Sequence, residues 1–306
     1  MARWRVLAPL AALLLAIGAA ACGDDDDAAG ATTVGTVVVA SLAPPSPAPV
    51  TAPPTVVPTT DAATTTSTVP PTLPPTTTTT VAGIAGSTVD ALAVRELGRS
   101  LEGRPITAVE RGTPGGTRVV VIGVIHGDED DGVAILERLA TVPVPEGIDL
   151  WLVESMNPDG QAAQQRGNAN GVDLNRNFPY RWGPIGAPGD PEYAGTGPAS
   201  EPETRAVVDL VEELGPALVM WYHQDLFRLS PGEGLEGLVK QRYADLTGLP
   251  VERITGGTYT GVAATWARNA TEAVSFIVEL GPTLSPEEAD IHAAAVLDVA
   301  TLVAVE

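Results

Sequence analysis

Residues 89–306 predict an α/β fold, a single domain with a central mixed, largely parallel β-sheet flanked by helices on both faces, on three observations. Four short apolar runs rich in β-branched residues read as buried strands, and amphipathic segments of helical spacing lie between them. Polar, chemistry-bearing residues stand at the carboxyl ends of those runs, where open α/β sheets form their ligand crevice. The strands are Arg118–Ile125, Ile148–Glu154, Pro216–Tyr222 and Ala273–Leu280. Each is too short for a preferred helix. Asp131–Leu139 and Glu201–Leu214 have helical periodicity, with Pro202 suited to a first helical turn, where its missing N–H costs nothing. Pro286, Glu287 and Glu288 open a last helix that runs toward Val303. No internal repeat and no second folded domain is evident.

The first 88 residues have a composition that no packed core tolerates. Arg3 and Arg5 precede an apolar run from Val6 to about Ala16, and Gly18, Ala19, Ala20 and Ala21 lead into Cys22. This pattern predicts a secretory signal over residues 1–21. It resembles the bacterial lipobox, in which the cysteine is acylated, with Ala19 in place of the usual leucine. An ordinary cleaved signal or an uncleaved anchor are the alternatives, and the run is short for the ~20 residues of a membrane span. Every one of these readings places the protein outside the cytoplasm, on a membrane lipid anchor at Cys22 or secreted if the lipobox is not used.

Residues 22–88 begin with Gly23 and four aspartates, then turn to Thr, Pro, Ala and Val, including Pro70-Pro71, Pro74-Pro75 and Thr76–Thr80. Such a segment predicts a disordered, semi-extended linker. Its extended ceiling is near 200 Å at ~3.1 Å per residue.

The chain carries 17 basic against 38 acidic residues, a formal charge of −21, and Lys240 is its one lysine. With no basic cluster to neutralise phosphates, nucleic acid is not an expected partner. The lone cysteine, Cys22, excludes an intrachain disulfide, a cysteine-ligated zinc cluster and a catalytic thiol in the globular part.

Chemistry concentrates at four strand ends: His126-Gly127-Asp128-Glu129, Asn157-Pro158-Asp159-Gly160, His223-Gln224-Asp225, and Glu279 with Gly281-Pro282. A catalytic zinc takes three N or O ligands and keeps an open position, commonly two His and one carboxylate. Of the three histidines, His126 and His223 follow apolar strands, and Glu129 stands three positions after His126 on a turn entering a helix. His126, Glu129 and His223 are therefore candidate ligands, although His-x-x-Glu alone also fits a surface histidine beside a capping glutamate. His292, in the last helix, reads as a surface or semi-buried residue.

The segments Leu97–Ile106, His126–Glu129 and Gly171-Val172-Asp173-Leu174-Asn175-Arg176-Asn177-Phe178-Pro179, with Tyr222-His223-Gln224 and Phe276–Leu280, resemble the M14 family of zinc carboxypeptidases in residue type and order. The resemblance covers nearly all of residues 90–306, and its flavour is that of compact bacterial members, murein-peptide amidases among them. It implies one zinc per chain on His126, Glu129 and His223, with Glu279 as general base. It implies that Arg166 polarises the scissile carbonyl and that Asn175 with Arg176 clamps a terminal carboxylate. Tyr259 is the candidate flap tyrosine, though its spacing to Glu279 needs a small shift, and Thr265 falls near the pocket floor, where no acid is present. The expected partner is a peptide or muropeptide.

The residue types suit this chemistry on their own terms. A carboxylate beside a metal-polarised water moves its proton, and a guanidinium offers fixed charge to an oxyanion. Arginine with asparagine gives planar recognition of a carboxylate that lysine does not reproduce. No Gly-x-Ser-x-Gly elbow and no Walker-type loop occur. The alternatives left open are an amidase that cuts γ-D-glutamyl bonds of wall peptides and a lipid-anchored binding protein that has lost catalysis.

Overall fold

A computed structural model describes residues 91–255 and 259–305. The signal at residues 1–21, Cys22 and the linker to residue 88 lie outside the described residues. Six strands form one sheet: β1 (Ala91–Arg99), β2 (Pro105–Gly112), β3 (Thr117–Val124), β4 (Ile148–Ser155), β5 (Leu218–Gln224) and β6 (Val274–Leu280), in the order β1-β2-β4-β3-β5-β6. The pairs β3/β4, β3/β5 and β5/β6 are parallel, while β1/β2 and β2/β4 are antiparallel. The sheet is thus mixed with a parallel half, as expected. β1 and β2 extend it by a hairpin that the apolar pattern did not mark as strands.

Helices cover both faces because the parallel strands are apolar on both sides. On one face Met220, Phe276 and Val278 pack against α1 (Gly132–Leu139), α4 (Gly234–Thr247) and α6 (Pro286–Val305). On the other, Val120, Ile122 and Trp221 pack against α3 (Pro202–Leu214) and α5 (Ala263–Thr271). Pro202 opens α3 and Gly215 closes it in the left-handed conformation, φ +53°. Short α2 (Pro158–Ala163) follows β4 and is capped by Asn157, whose side chain accepts the Gly160 N–H at 3.0 Å. The strand-end group Asn157–Gly160 is therefore architectural: Asn157 Nδ2 also donates to Ile125 O at 3.1 Å and Arg166 O at 3.2 Å.

Two corrections concern histidines. β5 continues through Gln224, so His223 lies on the strand itself, because its backbone keeps pairing with Glu279 of β6. His292 is buried, at 5% exposure, since the Tyr243 hydroxyl lies 2.6 Å from its Nδ1 and Tyr222 lies 2.8 Å beyond. Burial lowers the pKa of His292 to about 4, so the imidazole is neutral in this core network.

Candidate active site

The chain runs from β3 to β4 on one side and later to β5 on the other, so the crevice at the carboxyl ends of β3 and β5 is the switch point of the sheet. His126 leaves β3 there and His223 arrives on β5. A close backbone approach fixes the first turn: a Cβ on Gly127 would stand 1.9 Å from the Gly160 carbonyl carbon, so only glycine lets this turn lean on α2. Gln224 ties the second, donating through Nε2 to Asp131 at 3.0 Å and to Gly281 O at 3.3 Å.

His126, Glu129 and His223 each offer one ligand atom, all within 4.8 Å of one another. His126 Nδ1 lies 2.9 Å from Glu129 Oε1 and 3.1 Å from His223 Nδ1, which lies 3.0 Å from Glu129 Oε2. The donor set suits zinc, two imidazole nitrogens and a carboxylate oxygen facing a common point. The tautomer of His126 fits as well. Its Nε2 is 3.0 Å from Asp173 Oδ1, while Nδ1 accepts from Arg166 Nη1 at 3.1 Å, which leaves Nδ1 as the lone-pair nitrogen on the inner side. The same guanidinium nitrogen donates to Glu129 at 3.1 Å, so the cluster already draws a cationic group.

Electrostatics follow from burial and these contacts. Burial pulls the Glu129 carboxyl upward, but hydrogen bonds with His126 and His223 hold it well below the usual carboxylate range. Burial, followed by the neighbouring His126, lowers His223 to about 4, so it is neutral and able to donate a lone pair at pH 7. Glu279 shares its sheet rung with His223 and so its face. Burial and then repulsion from Glu129 push its carboxyl up to about 7, against a backbone hydrogen bond from Leu226.

Asp173 had no role assigned from sequence. Fully buried, it accepts from Arg166 Nη2 at 2.8 Å and Nε at 3.1 Å, and caps the short 3-10 turn Leu174–Arg176 through the Asn175 N–H at 2.8 Å. One carboxylate thus orients His126, Arg166 and the Asn175-Arg176 turn. Removing its charge by Asp173→Asn is expected to weaken metal affinity by roughly 10–100-fold, measured by competition with a chelating dye.

Asn175 and Arg176 are both buried here. The Asn175 side-chain oxygen accepts the Ala263 N–H at 3.0 Å, and its nitrogen lies 3.4 Å from His223 Nε2. Arg176 Nη2 donates to Glu192 at 2.7 Å, and the exposed Tyr259 ring lies 5.1 Å from its guanidinium carbon. Gly261, at φ +58°, allows the following loop to press on this turn, since a Cβ there would stand 2.2 Å from Arg176 O. Thr265 lies one turn into α5, and its hydroxyl accepts from Arg268 at 3.3 Å.

Residues 80–225 match the family model described as zinc carboxypeptidase. Murein peptide amidase A of Escherichia coli K12 is 35% identical over 140 residues, which span 42% of this chain and 58% of that protein, so the match covers less than two thirds of the relative's length. The crystal structure of murein-tripeptide amidase MpaA from Escherichia coli O157 superposes with a TM-score of 0.55 at 27% identity, over 70% of this chain and 93% of that one. Carboxypeptidase A of Helicoverpa armigera shares the fold, with a TM-score of 0.62 at 20% identity over 70% of this chain and 69% of that one. The family model spans just under half of the chain, and together with the relatives and the two-histidine, one-glutamate donor set in the crevice it makes the chain similar to the M14 zinc carboxypeptidases.

Proposed function

We propose that the protein is a zinc metallocarboxypeptidase that hydrolyses the C-terminal peptide bond of peptides. The observation that carries this reading is the rung shared by His223 and Glu279, which sets a half-buried carboxylate beside the donor cluster. Zinc held by His126, Glu129 and His223 supplies Lewis-acid activation of a water and of the scissile carbonyl. Glu279 takes the proton of the attacking water and returns it to the leaving amine. Arg166, oriented by Asp173, offers a guanidinium to the developing oxyanion. Asn175 and Arg176 bind the terminal carboxylate, Tyr259 covers it, and Thr265 belongs to the wall that receives the terminal side chain.

The test is turnover of short free-acid peptides by the zinc-loaded chain. Activity is expected to disappear on chelation and to return with added zinc, and His223→Ala is expected to drop metal stoichiometry from one per chain toward zero. Activity that survives complete metal removal would sink the reading.

A second reading, favoured by the likeness to the murein peptide amidase, is an amidase acting on a γ-D-glutamyl bond of wall peptides. Turnover of defined muropeptides beside ordinary dipeptides separates the two.

The reading extends to place and tether. The Arg-flanked apolar run, Ala19-Ala20-Ala21-Cys22 and the Thr/Pro-rich stretch support three parts: a signal at 1–21, a lipid-anchored linker at 22–88 and a catalytic domain at 89–306. Such a chain works outside the cytoplasm on a membrane anchor. Cys22→Ser is expected to release it from the membrane fraction or block its maturation, and unchanged partitioning would count against the anchor.

A further inference from the structure

We propose that Gln224 is a positioning residue, whose side-chain bonds to Asp131 and Gly281 hold the end of β5 so that its backbone N–H keeps the Glu129 carboxylate turned toward the two imidazoles. The proposal rests on the reading of Glu129 as a metal ligand. Gln224 is the last residue of β5, and its backbone N–H donates to Glu129 Oε2 at 3.0 Å. That oxygen also lies 3.0 Å from His223 Nδ1, which leaves Oε1 on the side of His126, 2.9 Å from its Nδ1. One backbone donor therefore sets the rotation of a carboxylate shared between both histidines.

A strand end is a poor place to fix a donor, because elements fray where their pairing stops. The chain beyond Gln224 is exposed from Asp225 to Phe227. The Gln224 side chain, on the opposite face from His223, supplies the missing hold. Its Oε1 accepts the Asp131 N–H at 3.1 Å, while Nε2 donates to Asp131 Oδ2 at 3.0 Å and to Gly281 O at 3.3 Å. Both N–H groups and the carbonyl oxygen of the amide are thus engaged. The bonds reach the turn that carries Glu129 and the chain just past Glu279.

Asp131 pairs with Gln224 at the expense of its own helix. Asp is among the residues most favoured as N-caps, and Asp131 stands directly before α1. Its backbone is nevertheless helical, φ −63° and ψ −21°, and its carboxylate turns to Gln224 instead of to the first N–H groups of α1. The start of the helix is also pressed onto the sheet: a Cβ on Gly132 would stand 2.1 Å from Gly123 O and 2.9 Å from Tyr222 Cβ. Asp131 is thus a fixed post for the Gln224 amide. A residue that departs from a local rule of helix stability beside a site marks a functional constraint.

Zinc affinity of the full chain, measured by competition with a chelating dye, tests this. Gln224→Met keeps the length of the side chain and removes its hydrogen bonds, and affinity is expected to fall by roughly 10–100-fold, the usual worth of a group that orients a metal ligand. Gln224→Glu removes both donors and sets a second carboxylate against that of Asp131, so a loss at least as large is expected. Adding Asp131→Asn to Gln224→Glu exchanges donor and acceptor across the same pair and is expected to recover most of the loss. The visible spectrum of the cobalt-loaded chain, which follows ligand geometry, is expected to shift in Gln224→Met and to return in the double variant. Wild-type affinity in Gln224→Met, or a double variant as weak as Gln224→Glu alone, overturns the proposal. A lowered thermal midpoint of the metal-stripped Gln224→Met chain with an unshifted cobalt spectrum marks a general structural role and overturns it too. If Glu129→Gln binds zinc as tightly as the wild type, the ligand reading itself is wrong and the proposal falls with it.

Discussion

Replacing Glu279 by Gln is expected to leave metal stoichiometry intact while lowering turnover by roughly 10²–10⁴-fold, the usual worth of a positioned general base. The substitution keeps the shape of the side chain and removes its ability to take a proton. Glu279 is no member of the donor cluster, so the metal stays. The pH dependence gives a second readout. Burial raises the carboxyl to about 7, and a general base acts only when ionised, so activity is full above that value and falls as pH drops through it. A bound divalent cation favours the ionised form, which places the acid limb at or below about 7. Near-normal turnover in Glu279→Gln, or an acid limb that persists in whatever activity remains, would assign the base to another group.

Amidating the C-terminus of a good substrate is expected to lower kcat/KM by two orders of magnitude or more. A charged contact to a buried guanidinium is worth a few kcal/mol, at ~1.4 kcal/mol per decade. Arg176 is the group concerned, buried with one N–H lacking an acceptor among the described residues. Arg176→Ala is expected to produce a similar loss on the free acid and little further loss on the amide, because the two changes remove the same contact. If the wild type cleaves acid and amide equally well, the protein does not read a free terminus, and an endo-acting amidase becomes the better account.

The parallel half of the sheet was legible in the sequence because its strands are apolar on both faces and end in unusual polar residues. Observed β3, β4, β5 and β6 differ from the expected spans by one or two residues at their ends. The hairpin β1/β2 carried no such signal. β1 is an edge strand that is half exposed along its length and contains Arg95, Glu96 and Arg99, as edges that resist further pairing do. α4 was missed for a related reason: it starts Gly-Leu-Glu-Gly and shows little amphipathic contrast, being held by Val239, Tyr243 and Ala244 against β6 and α6.

Within the site, the residues that would touch a metal were readable because imidazole and carboxylate at strand ends are rare in a chain with three histidines. Residues that orient them were less so. Asp173 sits between Val172 and Leu174 in an unremarkable turn, and its bond to His126 spans 47 positions. Glu192 looks in sequence like any loop acid. Only the fold brings it to Arg176.

The rung shared by His223 and Glu279 works as a ruler with two-residue graduations. Each step of one residue along β6 turns a side chain to the opposite face, so the distance between ligand and base cannot be adjusted smoothly. Deleting one residue between Val274 and Glu279 would send the carboxylate into the core beside Tyr222 and leave an apolar side chain facing the metal ligands. Divergence in this architecture is therefore confined to loops and pocket walls, with the spacing between the two chemical groups frozen in units of the pleat.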